Sequence, residues 1–170
     1  MIVRAVEFPM QLVPLALLTA LLPAALASQH PDFSGSWKLD QPKSMRHAGP
    51  DGRVVLAAML GEEFVATQDS AALTFVITSA GQKLTATYKL DGTESLNVSP
   101  GDIPVKSRAS WEADRLVIRS TSKSTEEGAP VTIETKRVIW LDESGDLIIE
   151  RTGTPASTVT PSRSVYSKVR

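Results

Sequence analysis

The chain has 170 residues, 42% of them hydrophobic, with no cysteine and a formal net charge of −1. Without cysteine there is no disulfide scaffold, no zinc–thiolate site and no cysteine nucleophile. The near-neutral balance argues against a strongly basic nucleic-acid binder.

The hydrophobic content is unevenly spread. Twenty of the first 27 residues are hydrophobic, which leaves about 36% in residues 28–170. Arg4 and Glu7 cancel, so the longer piece keeps the charge of −1. The start Met1-Ile2-Val3-Arg4 is basic, and an apolar run follows from Met10 to Leu26. It closes on Ala25-Leu26-Ala27, which places small residues at the −3 and −1 positions of a cut before Ser28. This pattern predicts a signal peptide over residues 1–27 and one exported domain, periplasmic or secreted, over 28–170. Pro14 and Pro23 argue against an uncleaved anchor, so no stable membrane span is expected after cleavage. No cysteine follows the run to carry a lipid. About 143 residues suffice for a single core without disulfides.

The mature segment is rich in Ser, Thr and β-branched residues, a composition that favours strands. The first expected strand covers 34–40. Gln41 to Pro50 holds Pro42, Gly49 and Pro50 and reads as irregular. Asp51 to Gly61 is rich in Ala, Leu and Met, with Asp51 placed to cap its start and Gly61 to end it, which predicts a short helix. Strands are then expected at 63–68, 72–79, 82–90, 93–98, 103–112, 114–122, 130–141, 146–153 and 162–169. In 84–90 the residues Leu84, Ala86, Tyr88 and Leu90 share one face and Thr85, Thr87 and Lys89 the other. Leu73, Phe75 and Ile77 form a similar apolar face in 72–79. Alternation of this kind means a sheet with one wet side. Turn signals such as Asp91-Gly92, Pro100-Gly101-Asp102, Glu112-Ala113-Asp114 and Ser144-Gly145-Asp146 separate the runs. Ten short strands with tight turns leave no room for parallel crossovers. The expected fold is therefore all-β: an antiparallel meander of eight to ten strands that closes into a barrel or folds into a sandwich, with one short helix between the first and second strands.

Asp32-Phe33-Ser34-Gly35-Ser36-Trp37-Lys38-Leu39-Asp40 resembles the opening of a lipocalin-like, or calycin, β-barrel, whose marker Gly-x-Trp is matched by Gly35-Ser36-Trp37. Pro42-Lys43-Ser44, the hairpin-rich remainder and the leader resemble a group of exported bacterial lipocalin-like proteins. The resemblance implies that an arginine near the barrel end stacks on Trp37, with Arg151 and Arg163 as candidates, a cation–π contact. It also implies a small apolar or amphipathic ligand.

Catalytic and metal chemistry find little support. His30 sits near the expected cleavage point and His47 in the irregular stretch, and two isolated histidines do not make a metal site. Glu62-Glu63 and Glu126-Glu127 are sequence neighbours beside turns, and on a strand such neighbours point to opposite faces. There is no G-x-S-x-G elbow and no phosphate loop or dinucleotide fingerprint. No enzyme activity and no cofactor or metal is expected. Lys and Arg are interspersed with acids, which reads as a solvated face.

The aromatic residues Phe64, Phe75, Tyr88, Trp111 and Trp140 fall on five strands. They either fill the interior or line a ligand cavity, and Phe75, Tyr88, Trp111 and Trp140 are the candidate ligand-binding residues. The strand at 130–141 admits two orientations. With Val131, Ile133, Thr135, Arg137 and Ile139 inside, Arg137 is a buried cation that can anchor an anionic ligand, as inward arginines do in fatty-acid-binding members of the superfamily. With Thr132, Glu134, Lys136, Val138 and Trp140 inside, Arg137 is a surface residue. The resemblance, through its placement of Trp140, favours the second. Two functions are thus carried forward: an exported small-molecule-binding barrel, and a structural or protein-interaction domain with a packed interior.

Overall fold

The computed structural model describes residues 30–48, 54–56, 60–79, 82–126, 128–155 and 159–169. The expected leader and its cleavage site lie outside these residues. Twelve strands run in chain order among the described residues: β1 (Gly35–Leu39), β2 (Arg46–Ala48), β3 (Val54–Leu56), β4 (Glu63–Gln68), β5 (Ala72–Ser79), β6 (Gln82–Lys89), β7 (Glu94–Ser99), β8 (Ile103–Glu112), β9 (Arg115–Glu126), β10 (Ala129–Leu141), β11 (Leu147–Thr154) and β12 (Ser162–Lys168). Ten of them form one antiparallel sheet in the order β6-β5-β4-β1-β12-β11-β10-β9-β8-β7, and β2 and β3 pair separately. The sheet curls until its two edges, β6 and β7, come into contact. The result is a nearly closed ten-stranded barrel. The short helix expected over Asp51–Gly61 is not seen: its middle, Val54–Leu56, is β3 and pairs with Arg46–Ala48. Residues 51–53 and 57–59 lie outside the described residues.

Alternation sets the interior. Trp37, Phe64, Leu73, Phe75, Tyr88, Ala109, Leu116, Ile118, Ile139, Leu147, Ile149 and Tyr166 belong to one buried cluster. On β10 it is the odd positions that face in, because Ile139 is fully buried within that cluster and pairs with Leu116 and Ile149. This corrects the orientation that Trp140 favoured. Trp140 is on the outer face, with the Arg115 guanidinium 4.5 Å from its ring centre.

The Gly-x-Trp opening plugs one end. Trp37 is buried, and its indole Nε1 donates to Phe33 O at 2.9 Å. Phe33 N donates to Gln68 Oε1, and Gln68 Nε2 donates to Pro31 O, so the chain before β1 is tied across the barrel floor to β4. Gly35 has φ +142, a conformation that L side chains rarely adopt, and a Cβ there would run into the Lys168 side chain. That space lets Lys168 Nζ reach 5.5 Å from the Trp37 ring. The stacked cation is therefore Lys168, on the strand paired with β1, and not Arg151 or Arg163.

Pro42-Lys43-Ser44 works as a clasp between β1 and β12. Ser44 Oγ accepts from Val165 N at 3.0 Å and donates to Asp40 O at 2.8 Å. Lys43 Nζ bridges Asp146 at 2.7 Å and Asp40 at 3.1 Å. The hydrogen bond from Lys43 holds the Asp146 carboxyl below its usual range, against the opposing effect of burial. A depressed carboxylate adds stability that is complete above its unfolded pKa, about 3.9, and is lost as pH falls through its lower folded value. Asp146→Asn is accordingly expected to lower the melting temperature at neutral pH and to reduce its decline below about pH 4. Melting followed by circular dichroism across that range checks both.

The turns keep the registers. Gly101 and Asp102 both have positive φ, at 85° and 57°, within the three-residue connection that joins Ser99 to its partner Ile103. Ala113, between β8 and β9, also has φ 57°. The left-handed conformation costs an L residue about 1–2 kcal/mol, partly offset because glycine is more flexible when unfolded. Ala113→Gly is expected to stabilise the protein by about 0.5 kcal/mol, read as a raised urea midpoint.

Candidate ligand cavity

The barrel interior changes character along its axis. Its plugged end is apolar and packed, whereas the other end carries inward Ser120, Ser122, Thr135, Arg137 and Arg151 on β9 to β11. There an open cavity of about 260 Å³ lies between these residues and an apolar wall of Ile77, Leu84 and Ala86 on β5 and β6. Leu60 covers part of it, held in place because its N–H donates to the buried Tyr166 hydroxyl at 3.0 Å. Burial pushes the Tyr166 hydroxyl pKa up, which keeps it protonated, and it donates in turn to Gly61 O at 3.2 Å.

Arg137 and Arg151 are cross-strand partners, so two guanidinium groups stand side by side on the cavity wall. Arg137 Nη2 donates to the Tyr88 hydroxyl at 2.6 Å, with its guanidinium 5.1 Å from the Tyr88 ring centre. Among the described residues neither arginine has a carboxylate within ion-pair distance. Burial first, and repulsion from Arg137 second, lower the Arg151 pKa. Half-buried like charges with no counter-ion are costly, and an arrangement of this kind is typical of a site that receives an anion. The guanidinium fork suits carboxylate, phosphate or sulfonate oxygens.

The four aromatic candidates separate. Tyr88 lines the cavity and holds Arg137. Phe75 is fully buried and packs edge-on against Phe64, ring centres 5.5 Å apart, within the core. Trp111 lies toward the plugged end, where His30 stacks on it with parallel rings 4.2 Å apart and Phe33 sits at 5.7 Å. Trp140 is on the outer face. The residues that sequence reasoning left off its ligand-binding set are Arg137 and Arg151 together with Ser120, Ser122, Thr135 and Asn97. The available signal was Arg137 on the odd face of its strand.

Other possible sites are less suited. Glu63 pairs with Lys38 at 2.8 Å on the surface. His47 lies on β2, and the side chains of Glu126 and Glu127 fall outside the described residues. Among the described residues no three His, Asp or Glu side chains gather as a metal site. Another open groove, of about 610 Å³, runs along β7 to β11 and is lined by Glu94 and Glu134 as well as Lys106, Arg108, Arg119 and Lys136. Its mixed signs and lack of an apolar wall make it a weaker site for a small molecule.

The fold of this nearly closed antiparallel barrel has counterparts among solved structures. The apo form of Caenorhabditis elegans lipid binding protein 8 superposes with a TM-score of 0.53 at 17% identity, over 81% of this chain and 95% of that one. The barrel is calycin-like. No protein-family model matches the chain, and no curated protein does.

Proposed function

We propose that the protein is an exported, non-catalytic carrier of a small amphipathic anion, held with its charged group on Arg137 and Arg151 and its apolar part against Ile77, Leu84 and Ala86. The observation that carries this reading is the pair of guanidinium groups facing a cavity with no carboxylate partner among the described residues. The lipid-binding protein with a similar barrel supports ligand binding in general. The basic start, apolar run and Ala25-Leu26-Ala27 of the leader support export. The cavity volume falls just under the roughly 300–1,000 Å³ of drug-sized pockets, which favours a short molecule over a long-chain lipid.

Calorimetric titration of the purified domain with decanoate and with decanol tests the proposal. Decanoate is expected to bind at least tenfold more tightly, the difference made by charge-assisted hydrogen bonds to one carboxylate. Equal affinities would remove the anion from the reading, and no binding of either would favour a packed structural domain.

A further inference from the structure

The barrel is closed by a backbone ladder at every pair of neighbouring strands in the sheet order, but none joins its two edges, β6 and β7. Side chains replace it there. Asn97 Oδ1 accepts from Thr87 N at 2.8 Å, and Asn97 Nδ2 donates to Thr87 O at 3.0 Å. The carboxamide thus does what a peptide group of a neighbouring strand would do, since it offers a donor and an acceptor to the same residue. A second rung follows toward the plugged end, where Ser95 Oγ accepts from Lys89 N at 2.9 Å. Among the described residues the rungs stop at Thr87. On the other side of it the seam is lined by Thr85, Val98, Ser99 and Pro100, and all four also line the cavity. Thr85 and Val98 are exposed and point outward by alternation, so the cavity reaches the surface between the two strands.

We propose that the β6–β7 seam is the passage by which the ligand reaches Arg137 and Arg151, and that Asn97 is its latch; this rests on the carrier reading above. The physical grounds are the unequal ways the barrel is held. Parting any other pair of strands breaks a run of backbone hydrogen bonds cooperatively. Parting β6 from β7 near the cavity releases two side-chain hydrogen bonds from one amide, whose edge groups water can then satisfy. Opening there exposes the apolar wall of β6 and the guanidinium pair together. Asn97 lies on the rim where a ligand would cross, so the latch and the passage coincide.

Stopped-flow fluorescence with anilinonaphthalene sulfonate, an anionic probe that brightens in apolar surroundings, tests this. Asn97→Leu keeps the side-chain size but makes neither hydrogen bond. Ser95→Ala removes the adjoining rung without touching the cavity lining and is the milder change for folding. Association and dissociation are both expected to be about tenfold faster in Asn97→Leu and severalfold faster in Ser95→Ala, and the Thr87 amide should exchange its hydrogen faster in Asn97→Leu. Unchanged rates in both variants, with the probe still bound, would overturn the latch and leave the carrier reading in place. Failure of the unmodified protein to bind the probe or decanoate would overturn both.

Discussion

Trp37→Ala is expected to cost about 3–5 kcal/mol of stability, the range for removing a fully buried large aromatic side chain. Three losses coincide. The indole sits in the main buried cluster at 1% exposure, and its removal leaves a cavity that the backbone of β1, hydrogen-bonded on both sides to β4 and β12, cannot collapse to fill. Phe33 O loses its indole donor and is left unpaired inside the protein. The Lys168 ammonium loses the ring face above which it lies. Two companion variants apportion the total. Trp37→Phe keeps an apolar ring but lacks the N–H, and should cost about 1–3 kcal/mol. Lys168→Met keeps a flexible stem over the ring and loses only the cation–π term, about 1 kcal/mol or less at a site this exposed. Urea unfolding of the three variants checks the order. If Trp37→Ala falls below about 1.5 kcal/mol, the tryptophan is not the plug described here.

The barrel was legible from the sequence because two local signals agreed. Leu73, Phe75 and Ile77 alternate cleanly with Thr74, Val76 and Thr78, and turn residues such as Asp91-Gly92 punctuate the runs, so β4, β5 and β8 occupy the spans the pattern predicts. The helix expectation failed where composition was read without periodicity. Ala, Leu and Met between Asp51 and Gly61 suggested a helix, but Val54-Val55 is β-branched, and His47 and Ala48, eight and six residues earlier, offered it a strand partner. Gly61 does adopt positive φ, at 76°, as a terminating glycine would, and it stands just before β4. The orientation of β10 was the harder question. An inward strand normally declares itself by apolar residues on one face, yet β10 carries them on both. The reason is visible in Leu116-Val117-Ile118 and Leu147-Ile148-Ile149, where three consecutive residues are buried on each neighbouring strand. Both faces of the sheet are covered there, so alternation carries no information about which is interior. Trp140 then misled, because an aromatic under an arginine is equally comfortable outside. The arginine pair was hidden for a related reason: its two members lie 14 residues apart in sequence, and only the β10–β11 register sets them side by side.

The same pairing sets up an opposition between stability and binding, which gives the second prediction. Arg151 carries no hydrogen bond or ion pair among the described residues, and it faces Arg137 from the adjacent strand. Its charge is therefore a burden on the empty barrel. Arg151→Met retains the length of the stem and removes both the desolvation cost and the repulsion, and should stabilise the unliganded protein by about 1 kcal/mol. In the liganded state the sign reverses. The anion supplies the missing counter-charge, and losing one of two guanidinium groups should weaken decanoate binding by about 10- to 100-fold, the worth of a charge-assisted hydrogen bond. Decanol, which has no charge to place there, should bind within about threefold of its original affinity, since the apolar wall on β5 and β6 is intact. Arg137→Met differs in one respect: it also deprives the Tyr88 hydroxyl of its donor, so its gain in stability should be smaller. A binding site explains a higher melting point combined with weaker anion binding. A merely structural arginine predicts the reverse, a lower melting point with no preference between decanoate and decanol to lose.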